Sequence, residues 1–187
     1  MDIVYNQPLK ELLAVASYFK EKDILILVAN ELIEKKAKQV GLIPCYLVSE
    51  KASDSEMQKL KGKKKAVLGG TVKSNEFAVR IKADFLLQPS NTEQAFDLGL
   101  AKKLAQNNTC VVMMLEDMLS KNSFERHKYW KNYLELVDYC KRKGTKFFVA
   151  SGCKEPLNLR PRKVRTAVAE TLGMSKEKAE KSAELTK

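Results

Sequence analysis

Short runs rich in β-branched and aromatic residues alternate along the chain with stretches whose apolar residues recur at helical spacing. The runs fall at 2–6, 23–29, 43–49, 64–69, 84–88, 109–115 and 145–150. Some are continuously apolar, such as Ile24-Leu25-Ile26-Leu27-Val28-Ala29. Strands buried on both faces of a parallel sheet read this way. The intervening stretches carry helix punctuation. Pro8 opens the first, ahead of Leu9, Leu12, Leu13 and Val15. Ser90 and Glu93 have capping-box spacing before Phe96, Leu100 and Leu104. A long helix is predicted from about Ser123 to Lys143, with Trp130, Tyr133, Leu134, Val137 and Cys140 on one stripe. Lys141, Arg142 and Lys143 close it, and Gly144 is the expected C-terminal cap. The stretch Ser53–Lys65, with lysines clustered around Gly62, reads as a mobile basic loop.

Strands alternating with helices imply right-handed crossovers and an α/β fold. Repeated strand-helix units of this length predict a compact, irregular (β/α) TIM-like barrel, with about seven parallel strands and surrounding helices. A doubly wound sheet is the alternative. The 187 residues are expected to form one domain spanning 1–187. The longest apolar runs fall far short of the ~20 residues that span a bilayer, so no membrane association is expected. Met1-Asp2-Ile3-Val4 has neither a basic n-region nor a long apolar core, and a cytoplasmic location is expected.

Charge adds a direction. Lys and Arg total 34 against 23 Asp and Glu, a formal net charge of +11. The excess is concentrated. Between Lys59 and Lys82 there are eight basic residues against the single acid Glu76, and between Lys141 and Arg165 nine against Glu155. Blocks this uneven point to a polyanion. The expected phosphate-facing residues are Lys63, Lys64, Arg80, Lys82, Lys154, Arg160, Arg162, Lys163 and Arg165. Arg126, His127 and Lys128, at the start of the long helix, extend the set. The stretch Leu159–Arg165 opens a helix with cations that oppose its dipole, an arrangement favoured only with an anion nearby. A phosphate there would satisfy both the free N–H groups and the guanidinium groups. An internal carboxylate holding Arg160 is the structural alternative.

Catalytic chemistry is poorly represented. The expected strand exits hold Asn6, Asn30, Ser49, Gly69-Gly70, Pro89-Ser90-Asn91, Glu116-Asp117 and Ser151-Gly152. Glu116-Asp117 reads as a solvated strand exit or cap. Leu68-Gly69-Gly70-Thr71 lacks the lysine of a phosphate-binding loop. His127 is the single histidine, too few for a multi-histidine metal cluster. Cys45, Cys110, Cys140 and Cys153 form no C-x-x-C pair. Cys45 and Cys110 read as buried small hydrophobes, and the basic surroundings of Cys153 would favour its thiolate.

Three segments in order carry a resemblance: Phe147-Phe148-Val149-Ala150-Ser151-Gly152-Cys153, Leu159-Arg160-Pro161-Arg162-Lys163-Val164 and Leu172-Gly173-Met174. Together they are similar to the C-terminal signature of the barrel-shaped protein subunit of archaeal and eukaryotic ribonuclease P, called component 3 in archaea. That pattern is a strand ending in Ser-Gly-Ala, then Leu-Arg-x-Pro-Arg-Asp, a helix ending in Leu-Gly-Met, and a final Ala-rich helix, here Ser175–Leu185. Asp84-Phe85-Leu86-Leu87, the stretch Asp97–Leu115, Arg126 and Asn132 also fit. The N-terminal part matches only in strand-helix rhythm. Two departures stand out. One residue is missing between Arg160 and Pro161, and Lys163 replaces the acidic residue after Pro-Arg.

The resemblance implies a subunit of the endoribonuclease that removes the 5′ leader from precursor tRNA. In that family the RNA is the catalyst. The catalytic Mg2+ sits on the RNA, no cofactor is held by the protein, and the isolated protein is inactive. The implied partners are ribonuclease P RNA, precursor tRNA, a smaller ribonuclease P protein and the other ribonuclease P proteins. Two alternatives from the residues alone are a barrel metal-dependent phosphoesterase and a small-molecule barrel enzyme.

Overall fold

The computed structural model describes residues 1–90 and 95–182. Its strands are β1 (Asp2–Val4), β2 (Ile24–Val28), β3 (Ile43–Val48), β4 (Lys65–Leu68), β5 (Phe85–Leu87), β6 (Cys110–Met114) and β7 (Phe147–Ala150). The helices are α1 (Leu9–Tyr18), α2 (Glu31–Gln39), α3 (Asp54–Lys59), α4 (Val72–Arg80), α5 (Leu98–Gln106), α6 (Leu115–Leu119), α7 (Ser123–Lys143), α8 (Arg162–Thr171) and α9 (Lys176–Ser182). A 3-10 turn, Pro156–Asn158, lies between β7 and α8. The strands run in the sheet order β1 to β7, the order of the chain. This is the TIM-like α/β class, and it excludes the doubly wound alternative, whose strand order reverses part-way.

The chain forms two compact units. One comprises Met1–Cys45, Met114–Lys121 and Phe148–Lys187; the other comprises Tyr46–Met113 and Asn122–Phe147. In the first unit β1 pairs in parallel with β2, Ile3 opposite Leu25. Beyond β7 the chain returns to β1: Gly152 N–H donates to the Ile3 carbonyl at 2.9 Å, and Tyr5 N–H to the Cys153 carbonyl at 3.0 Å. The core of this unit includes Ile3, Leu12, Leu25, Ile26, Met114 and Phe148, all buried. Each such side chain contributes about 1.5–3 kcal/mol on burial.

In the second unit β3, β4, β5 and β6 pair in parallel, with Leu47 opposite Ala66, Val67 opposite Leu86, and Leu86 opposite Val111. Its core includes Phe77, Leu86, Leu104, Val111, Tyr133 and Val137. The long helix α7 begins and ends where the sequence predicts. Gly144 caps it at φ 69°, a left-handed conformation that glycine adopts without a Cβ penalty. Its buried stripe is Tyr129, Tyr133, Leu136, Val137 and Cys140, so Leu134 is exposed and the stripe is rotated from the expected one.

Two expectations are corrected. Part of the 53–65 segment is helix rather than loop: Ser53 and Glu56 form a reciprocal capping box that starts α3. The N-cap of α5 is Asp97, whose carboxylate accepts from Leu100 N–H at 2.7 Å. Ser90 lies well before it, and Glu93 and Leu185 lie outside the described residues.

Candidate nucleic-acid interface

In the second unit, the turns entering β4 and β5 lie side by side. Lys65 N–H donates to Asp84 Oδ2 at 2.8 Å, and Asp84 N–H donates back to the Lys65 carbonyl at 2.9 Å. This register places Lys63 and Lys64 beside Lys82 at the N-terminal end of these strands. Arg80 ends α4 just before the second turn and stacks its guanidinium 5.2 Å from the Phe77 ring centroid. Lys64, Arg80 and Lys82 are exposed. Lys63 is half-buried, its Nζ 3.2 Å from the Tyr46 hydroxyl and 4.8 Å from that ring's centroid. Lys82 closes the α4 turn at φ 48°.

Arg126, His127 and Lys128 are exposed on the first turns of α7. They lie at the other end of this unit's sheet. The next residue, Tyr129, donates its hydroxyl to Gln88 Oε1 just beyond β5, and Tyr133 donates to the same oxygen at 2.7 Å. Beside them Asn75 Nδ2 donates to the Pro89 and Ala95 carbonyls, and Gly70 N–H donates to Asn75 Oδ1. These buried polar groups hold the ends of β4 and β5 by satisfying one another. Sequence reasoning missed Gln88 and Asn75. Their only signal was a polar residue at the end of an apolar run and another on the buried face of α4.

In the first unit the basic residues following β7 take divergent roles. Arg165 is only 1% exposed. Its Nη2 donates to Glu21 Oε2 at 2.8 Å, Nη1 to the Met1 carbonyl at 2.6 Å and Nε to the Arg160 carbonyl at 3.1 Å. Asp2 Oδ2 lies 3.6 Å from that Nε. Asp2 also accepts from Ser151 N–H and the Ser151 hydroxyl, at 2.7 and 2.5 Å. Burial pushes the Asp2 carboxyl above its usual range, while the Arg165 guanidinium and the Ser151 donors pull it down. Arg165 is therefore a buried structural cation, and its placement on an RNA-facing surface is corrected.

The same acid, Glu21, meets the start of α8. Glu21 Oε1 accepts Arg162 N–H at 2.6 Å. The cations of this turn are thus faced by the protein's own Glu21, with Asp2 behind it. The internal-carboxylate role exists, but it falls to Arg165 and not to Arg160. Arg160 enters the network through its backbone: its N–H donates to Ser151 Oγ at 2.9 Å, and its carbonyl accepts from Arg165. No hydrogen bond or ion pair among the described residues engages its half-buried guanidinium. Arg162 is half-buried and donates from Nη2 to the Glu180 carbonyl at 3.0 Å; Lys163 is exposed. Asp2 and Glu21 went unnoticed in the sequence, where one opens an apolar strand and the other sits between two lysines.

Lys154 is exposed, with Nζ 5.4 Å from the Tyr5 ring centroid, and its N–H donates to Glu116 Oε2 at 3.2 Å. Burial, then the neighbouring Asp117 and Glu116 carboxylates, push the Tyr5 hydroxyl up to about 12. Cys153 is buried, and burial pushes its thiol up to about 11, opposite to the thiolate expected from its basic neighbours. Among the described residues no group of three or more His, Cys, Asp or Glu side chains is placed to hold a metal ion. No helix among them is long and apolar enough to cross a membrane.

The fold has a solved counterpart. A chain of archaeal ribonuclease P, determined by cryo-EM with mature tRNA, superposes with a TM-score of 0.82. The two are 15% identical, and the match covers 97% of this chain and 88% of that one. A crystal structure of an uncharacterized protein matches at a TM-score of 0.51 and 16% identity, over 95% of this chain and 46% of that one. No family model and no curated protein matches the sequence.

Proposed function

We propose that this protein is a ribonuclease P subunit, corresponding to component 3. It binds and activates the catalytic RNA for removal of the 5′ leader from precursor tRNA. The observation that carries this reading is the likeness of fold, over nearly the whole length of both chains, to a chain of archaeal ribonuclease P bound to tRNA. The distribution of charge supports it. Lys64, Arg80, Lys82, Arg126, His127, Lys128, Lys154 and Lys163 are exposed, and Lys63, Arg160 and Arg162 present partly accessible cations. Contacts of this kind grip phosphates without reading sequence.

On this reading the hydrolytic chemistry belongs to the RNA and its Mg2+. The protein contributes phosphate neutralisation and positioning, alongside a smaller ribonuclease P protein and the other protein subunits, in the cytoplasm. The deciding experiment is reconstitution. Adding the protein to a cognate ribonuclease P RNA and its smaller partner protein raises precursor-tRNA cleavage, while the protein alone with Mg2+ cleaves nothing. Equal cleavage with and without it, or turnover by the RNA-free protein, overturns the assignment.

A further inference from the structure

In the first unit, where the chain leaves β6 and β7, a cleft of about 220 Å³ is lined by Glu116, Leu119, Ser120, Asn158 and Arg160. Two opposite charges share it without pairing. Neither Glu116 nor Arg160 takes part in a salt bridge among the described residues. The Glu116 carboxylate is held in place from behind: Oε2 accepts Lys154 N–H at 3.2 Å and Oε1 accepts Asn158 Nδ2 at 3.4 Å. Each oxygen keeps a lone pair for another donor. Arg160 is fixed at its backbone by Ser151 while its guanidinium stays unengaged. Leu119, 43% exposed, supplies an apolar wall, and Leu157, at 83%, stands beside Asn158.

A glutamate and an arginine lining one small cleft suit a neutral, flat ligand with donors on one edge and acceptors on another. Among the RNA bases this describes guanine. Its N1–H and N2–H are adjacent donors that match two carboxylate oxygens. Its O6 and N7 are adjacent acceptors that match an arginine fork. Adenine, cytosine and uracil each mix donors and acceptors along their Watson–Crick edges and present only one of the two paired arrangements at best. Unstacked bases in single-stranded RNA are recognised in such pockets through these edges and through contact with apolar or guanidinium faces.

Resting on the RNA-binding reading above, the geometry points to this cleft as a site for one unstacked guanine of a single-stranded RNA segment. Glu116 reads the Watson–Crick edge, Arg160 reads O6 and N7, and Leu119 packs against the ring. The cleft thereby adds base selectivity to a surface that otherwise grips phosphates.

The test uses the full chain and fluorescence anisotropy with short single-stranded RNAs: oligouridine, the same strand with one central guanosine, and that strand with inosine in place of the guanosine. The guanosine strand is expected to bind about tenfold or more tighter than oligouridine, the scale of one good bidentate contact. Inosine, which lacks the 2-amino group, loses most of that preference in the unaltered protein. Glu116→Gln erases the preference and leaves oligouridine affinity unchanged or slightly raised. Equal affinity of the unaltered protein for all three strands, or a guanosine preference that survives in Glu116→Gln, overturns the site. If oligouridine still binds in a salt-sensitive way without a guanosine preference, the cleft assignment fails and the RNA-binding reading stands. If no strand binds at low salt, both fail.

Discussion

Arg160 and Arg165 lie five positions apart and have the same chemistry, yet burial divides their roles. Arg165 is enclosed with two carboxylates, so removing its charge leaves Asp2 and Glu21 buried and uncompensated. Loss of one partner from such a cluster costs about 3–5 kcal/mol. Arg165→Met should therefore lower the melting temperature sharply, and wherever the variant remains folded its RNA affinity should match the unaltered protein. Arg160→Lys should do the opposite. The backbone bonds of residue 160 do not depend on its side chain, so thermal stability should hold. RNA affinity should fall by about 1–3 kcal/mol, because a point charge loses the arginine fork. A destabilised Arg160→Lys with full affinity, or an Arg165→Met that melts normally and binds poorly, would reverse these assignments.

At the scale of the element, two glycines separate backbone strain from packing. Gly144 has φ 69° and open space where a Cβ would stand. Gly144→Ala then meets only the left-handed penalty, about 1–2 kcal/mol. Gly152 has φ 63°, and a Cβ there would stand 2.6 Å from Met114 Cβ. Its alanine variant carries the same strain plus an overpacking cost of about 1–3 kcal/mol. Chemical denaturation should rank Gly152→Ala well below Gly144→Ala; equal losses would mean that the contact with Met114 relaxes freely. The elements themselves were legible because apolar runs and glycine caps are local signals. All seven strand runs correspond to observed strands, and α7 keeps its predicted ends. What escaped the sequence was pairing over distance. Nothing local to Asp2 marks its contact with Ser151, 149 residues away, or that of Glu21 with Arg165. The start of α8 was expected to meet a phosphate, and nothing local to it marks Glu21, the carboxylate that accepts its Arg162 N–H from 141 residues away. Glu116, read as a solvated cap, contributes to a cleft that is completed by Asn158, 42 positions later, and by Arg160.

For the molecule as a whole, the net charge of +11 acts through the number of phosphates engaged rather than through any single lysine. Each neutralised phosphate releases counterions, so affinity falls with salt on a logarithmic slope of about 0.7 per contact for single strands and 0.9 for duplexes. With about six contacts, affinity should fall on the order of a thousandfold between roughly 50 and 200 mM salt. Exposed Lys64, Arg80 and Lys82 cluster at one end of the second unit's sheet, and of these Arg80 lies over the core residue Phe77. Replacing all three with alanine should cost only the Arg80–Phe77 contact, about 0.5–1 kcal/mol of stability. If each meets a phosphate, the replacement should flatten the slope by about 2 for single-stranded RNA. The unaltered and substituted proteins would be titrated with the same RNA across a salt series. A slope that stays the same in the triple variant would remove this end of the sheet from the interface and leave the exposed basic residues of α7 and of the segment after β7 to account for binding. A flat dependence in the unaltered protein would mean that its charge does not face RNA phosphates at all.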